Sequence, residues 1–145
     1  MRWTTPAGWR EHPGDSSFRV ASFEVEDPLG RAEVTITRFP GGVGGLLANI
    51  NRWRGQVGLE PVGDVSAQPL ESLEVDSRPA QLLDLAGPAT AGTADASRQR
   101  ILVVLVPRGD LTWFLKMTGP KGLLDKQKRS FTDFARSVRF DVVGS

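Results

Sequence analysis

The chain has 145 residues, 39% hydrophobic and 24% charged, with a net charge of +1. Those values describe one ordinary globular domain, 1–145, and give no whole-molecule field to attract nucleic acid or an anionic membrane. Cysteine is absent, so disulfide stapling, thiolate catalysis and cysteine-based zinc sites are excluded.

Trp3 to Trp9, WTTPAGW, places two large aromatics around a Pro-Ala-Gly turn and reads as a short strand or extended arm. Phe18 to Val25 follows with an alternation that slips between Val20 and Ala21, the signature of a bulge or of a strand covered on both faces. Asp27 to Gly30 is a turn. Arg31 to Phe39 then alternates cleanly, with Ala32, Val34 and Ile36 on one face and Glu33, Thr35 and Thr37 on the other. The two runs predict a hairpin.

FPGGVGGLLANINRWRGQVGL, residues 39–59, joins a strand end to a glycine-dense turn and an amphipathic helix. Leu46, Ile50, Trp53 and Val57 recur at helical spacing and predict a stripe that faces a sheet. Asn49, Arg52 and Gln56 form a second strip, and Arg52 and Arg54 are expected to reach solvent.

Beyond the breaks at Glu60-Pro61 and Gly63-Asp64, Leu73 and Val75, the turn Asp76 to Pro79, and Ala80 to Leu85 predict a second hairpin. Ala86 to Gln99 is small and polar, and is expected to be the most mobile loop. Ile101 to Val106, ILVVLV, predicts a strand buried on both faces, and the turn at Pro107 to Asp110 returns it into LTWFLKMT. A final helix is expected from Gly122 to about Arg139, with Leu124, Phe131, Phe134 and Val138 on a stripe that Gln127 interrupts.

Strands and helices do not alternate regularly, so the expected fold is α+β: a three-layer α/β/α sandwich with a mostly antiparallel sheet of about six strands and helices on both faces. WTTPAGW, RFPGG before a helix, LLDLAG, and WFLKMTGP leading into a helix that closes with FTDFARSVRF together resemble the PsbP-like family. That α/β/α sandwich is shared by the extrinsic photosystem II subunit and a Ran-binding nuclear import factor. The resemblance implies an accessory or binding role, and bacterial relatives that are often secreted or lipid-tethered. No Ran-binding or photosystem-docking signature is present.

The glycines at 41, 42, 44 and 45 invite a phosphate-loop reading, but no Gly-Lys-Ser/Thr ending follows and no third glycine completes a dinucleotide fingerprint. A tight turn, or an anion site at Gly42, Gly44 and Gly45, is what remains. Asn49, Arg52 and Arg54 are the partner-facing candidates, Arg52 and Arg54 diverging from a core Trp53. Asp84 in LLDLAG and Lys116 in WFLKMT are charges within apolar strands; the expectation is that each points outward at a sheet margin, the alternatives being that they pair across the sheet or line a small polar pocket. His12 is the single histidine, in a turn without partners for metal binding.

The leading expectation is a non-catalytic accessory or binding domain with a protein partner or small polar ligand, with no cofactor, metal or catalytic residue assigned. Two alternatives stand beside it: a small hydrolase-like enzyme with a pocket at Asp84 and Lys116, and a structural module of a cell-envelope complex. No apolar run approaches the roughly 18 residues of a membrane-spanning helix. Folded sequence begins within a few residues of Met1, as in a chain whose leader or tether has been removed, and an extracytoplasmic location is the expectation that follows.

Overall fold

The computed structural model describes residues 1–14, 19–40, 45–89, 91–92 and 94–140. Seven strands and two helices run in the order β1 (Trp9–Pro13), β2 (Arg19–Asp27), β3 (Gly30–Pro40), α1 (Gly45–Gln56), β4 (Glu71–Val75), β5 (Arg78–Ala86), β6 (Gln99–Arg108), β7 (Leu111–Pro120) and α2 (Lys121–Ser137). Every pairing is antiparallel, and the spatial order is β1-β2-β3-β7-β6-β5-β4. Two meanders, β1 to β3 and β4 to β7, are joined where β3 meets β7.

The hairpins form where the turn chemistry places them. β2 and β3 shift register between Arg19 and Ala21, the site of the slipped alternation. Asp76 and Ser77 both take positive φ, 52° and 63°, the geometry that lets a two-residue turn follow the strands' right-handed twist. Ile101 to Val106 is buried throughout, because β6 lies between β5 and β7 and alternates between two apolar clusters. Leu102, Val104 and Val106 join α2; Ile101, Val103 and Leu105 join α1.

The larger cluster packs Leu123, Leu124, Phe131, Phe134 and Val138 of α2 against Phe23, Ile36, Leu115 and Met117. Trp9, Phe23 and Phe134 meet at centroid distances of 5.1–5.7 Å, and Trp3 adds an edge contact to Phe23 at 6.0 Å. Gln127, which breaks the helical stripe, accepts a hydrogen bond from Trp9 Nε1 at 3.0 Å. The polar residue is there because a buried indole N–H needs an acceptor.

The expected three-layer sandwich is overturned. Among the described residues, the sheet has seven strands rather than about six and dominates the fold, 47% strand against 27% helix including two short 3-10 turns, with only two α-helices. α2 lies along one face, against β3, β4, β6 and β7. On the other, the 12-residue α1 makes no comparable backbone approach to any strand and reaches the sheet through the side chains of Ile50 and Trp53, joined by Val57 just past its end, over Leu83, Ile101, Val103 and Phe114. Among the described residues, no helix packs on the face of β1, β2 and β3 on that side.

The segment expected to be most mobile is tied at its base. Arg98 Nε donates to Gly87 O at 2.7 Å, its Nη1 donates to Asp95 at 2.8 Å, and Gly87 N donates to Gln99 O at 2.8 Å. Among the described residues, no helix is long and apolar enough to cross a membrane.

Candidate functional site: an open cationic cleft beside the first helix

Where α1 stops covering the sheet, period-two alternation turns the polar residues of β3 and β7 to the face away from α2, Thr35 among them buried. Glu33, Thr35 and Thr37 project from the face opposite Ala32, Val34 and Ile36, and their register partners on β7 are Thr118, Lys116 and Phe114. The row continues outward, since Thr35 opposes Ser22 and Ser22 opposes His12. Four strands thus carry a polar floor bounded on one side by α1.

Floor and helix enclose a cleft of about 560 Å³, within the size range of small-molecule sites. Phe39, Trp53 and Phe114 form its apolar wall, Trp53 edge-on to Phe114 at 5.4 Å and Phe39 tilted against it at 5.8 Å. Thr35, Thr37 and Thr118 supply hydroxyls. Among the described residues the charged lining is Arg19, Arg31, Arg52, Lys116 and Glu33. Arg52 is exposed, its guanidinium 5.6 Å from the Trp53 ring.

Lys116 sits on the floor, partly buried, with no hydrogen bond or ion pair among the described residues. Burial, and then the charges of Arg52 and Arg19, push its ammonium below the usual lysine range, with Glu33 opposing. At the far rim the charges are already matched. Glu24 accepts from both Arg10 and Arg31, and His12 Nε2 lies 3.8 Å from the same carboxylate. The Arg10 hydrogen bond leads in holding Glu24 below the ordinary carboxylate range.

Asp84 and Lys116 do not pair with each other. Asp84 lies opposite Leu102 and Lys116 opposite Val103, consecutive residues of β6, so the two charges project from opposite faces of the sheet. Asp84 instead accepts from Arg100 Nε at 2.9 Å, Arg100 Nη2 at 2.7 Å and Lys128 Nζ at 3.0 Å, while Arg100 also bonds Asp125. Burial alone would raise the Asp84 pKa, but Arg100 and Lys128 outweigh it and hold the carboxyl below its usual range. This network fastens α2 to β5 and β6.

The remaining candidates divide. Gly42 and Gly44 lie outside the described residues; Gly45 opens α1 at φ 69°. Asn49 is buried and bonds Gly45 O within the helix at 3.0 Å. Arg54, expected at a partner surface, donates from Nε to Glu60 O and from Nη1 to Gln68 Oε1, both at 2.6 Å, and so fastens the helix end to the following segment. The structure brings only Arg52 and Lys116 together. Arg19, Thr35, Thr37 and Thr118 were not anticipated, although the polar alternation of β3 was a readable sign that one face of an internal strand lacks apolar cover.

No family model and no curated protein matches the sequence. The fold is similar to several solved bacterial structures. One, from Bacteroides thetaiotaomicron, gives a TM-score of 0.54 at 12% identity, over 99% of this chain. This chain spans only 46% of that protein's length. PA94 from Pseudomonas aeruginosa, a protein of unknown function, gives 0.55 at 14% identity over 94% of this chain and 88% of its own. LpqN of Mycobacterium tuberculosis, involved in cell envelope biogenesis, gives 0.50 at 14% identity over 94% and 78%. Identities this low establish a shared fold alone. They do not support the resemblance to the PsbP-like family drawn from WTTPAGW and FTDFARSVRF.

Proposed function

We propose that the chain is a non-catalytic binding domain that takes a small anionic ligand in the cleft between α1 and the β3–β7 floor. One observation carries this reading: Lys116 is partly buried among arginines with no carboxylate partner among the described residues. A half-buried cation without a counter-charge is costly, and a bound carboxylate or phosphate supplies that charge to Lys116 and Arg52 together. Arg52 recognises a planar or tetrahedral anion through its fixed fork of donors, and Lys116 acts as a point charge. The hydroxyls of Thr35, Thr37 and Thr118 orient the ligand, and Phe39 sets the apolar limit of the site.

The alternative of a hydrolase using Asp84 with Lys116 loses its geometric basis, since those groups face opposite sides of the sheet. A cell-envelope module has only the LpqN likeness beside it, and at 14% identity that likeness bears on fold.

The test is titration of the 15N-labelled protein with glycolate and, separately, with inorganic phosphate. Shift changes are expected to cluster on β3, β7 and α1. Lys116→Met or Arg52→Gln should weaken binding roughly ten- to a hundred-fold, the range of a charge-assisted hydrogen bond of about 1.5–3 kcal/mol. Shifts scattered over the surface, or unchanged affinity in both variants, would refute the proposal.

A further inference from the structure

The chain contains four lysines, and the structure treats one differently. Lys121 reaches Asp125 at 3.1 Å and Asp95 at 3.4 Å; Lys126 reaches Asp27 at 2.9 Å; Lys128 reaches Asp84 at 3.0 Å and Glu71 at 3.5 Å. Each lies within ion-pair distance of a carboxylate. Lys116 has no such partner among the described residues and stands on the floor of the cleft, with Arg52 in the same lining and Glu33 the acidic residue the described lining contains.

We infer that Lys116 is a nucleophilic amine that captures a small carbonyl compound bearing a carboxylate or phosphate, forming an imine within the cleft. The inference rests on the anion-binding reading above and adds the ligand's reactive group. The division of labour follows from the residue types. A guanidinium stays protonated, so Arg52 can hold the anionic end without competing as a nucleophile. Lysine alone among the cleft cations can shed its proton and offer a lone pair, and its cationic, partly buried surroundings favour that neutral form.

The neutral Nζ adds to the carbonyl carbon, forming the C–N bond as the C=O electron pair moves to oxygen, which takes up one of the two nitrogen protons to give the neutral carbinolamine. The carbinolamine then loses its hydroxyl with the nitrogen proton as water and leaves C=N. No oxidant or reductant is consumed. Thr35, opposite Lys116 across the β3–β7 pair, and Thr118, two residues along the same face, supply hydroxyls at the floor for the carbonyl oxygen and the departing water.

The experiment incubates the full chain with glyoxylate and cyanoborohydride, which reduces an imine to a stable carboxymethyl amine, and maps the label by peptide mass spectrometry. Acetaldehyde serves as a carbonyl without an anion, and glycolate as an anion without a reactive carbonyl. Lys116 is expected to label at least about ten-fold faster than Lys121, Lys126 or Lys128, since the cleft holds the aldehyde's anionic end beside its amine while the other three lysines are engaged with carboxylates. Glyoxylate should outpace acetaldehyde at Lys116 alone, glycolate should slow that labelling, and Lys116→Arg, which keeps the charge, should abolish it there. Uniform labelling of the four lysines, or no preference for glyoxylate, overturns the inference. Glycolate-induced shifts on β3 and β7 without Lys116 labelling overturn imine capture and leave anion binding standing. Absence of both overturns the two readings together.

Discussion

Asp84→Ala removes the acceptor of three hydrogen bonds and leaves Arg100, whose side chain is only 10% exposed, facing a hole. Breaking a fully buried ion pair costs about 3–5 kcal/mol, mainly through the charge left behind. Two features reduce that figure here. The Asp84 side chain is 26% exposed, so water can enter, and Asp125 continues to hold Arg100. The expected loss is about 2–3 kcal/mol, or a fall of roughly 1–2 M in the urea midpoint for a domain of this size. The pH dependence gives a second reading of the same group. Its pKa is lowered on folding, so its contribution is complete above the unfolded carboxylate value of about 3.9 and drains away as pH falls through the lower folded value. Urea melts of wild type and variant across that acid range should converge. A loss below about 0.5 kcal/mol, the scale of an ordinary surface change, or a difference independent of pH, would refute the assignment. Asp84→Leu combined with Arg100→Met should recover most of the loss, because removing both partners leaves no stranded charge.

Lys116→Met should raise stability at neutral pH by about 0.5–1 kcal/mol, since a cation among cations is replaced by an apolar chain of similar length. A lysine whose pKa is lowered on folding costs stability while both states are charged, and that cost is relieved as pH rises from the folded toward the unfolded value. Denaturation from pH 7 to 10 should therefore narrow the gap between variant and wild type. Ser77→Gly, at φ 63° in the β4–β5 turn, should stabilise by about 0.5 kcal/mol, the left-handed strain relieved less the extra entropy of an unfolded glycine. Gly87→Ala places a Cβ 2.5 Å from Val57 O, a backbone atom that cannot turn aside, and should cost about 2 kcal/mol, read as a lower melting temperature.

The local pattern of the chain carried much of the fold. The slip between Val20 and Ala21 marks a real register shift, Asp76-Ser77 turns β4 into β5, and Ile50, Trp53 and Val57 do face the sheet. Each depends on neighbours within a few residues. What pairing between distant strands decides could not be read. Asp84 and Lys116 look alike as charges in apolar runs, and only the β5–β6–β7 register assigns them to opposite faces. The second helical layer failed for a related reason. An apolar stripe tells that α1 covers something, but not that a 12-residue helix covers one part of a seven-stranded sheet. Arg52 and Lys116 were each legible singly; the cleft they share arises from the strand order.

That strand order also sets a timetable for assembly. β3 has its β2 neighbour as soon as the N-terminal meander exists, yet its other edge waits for β7, the last strand made, with Ile36 opposite Leu115. During synthesis on the ribosome β3 therefore presents an unfinished edge until residues 111–120 have emerged. Closing so long a loop delays the seam, and the exposed edge is a template for pairing with other chains in the interval. The open floor beside Lys116 belongs to the same seam, so the cleft comes into being only at the final joining of the two halves.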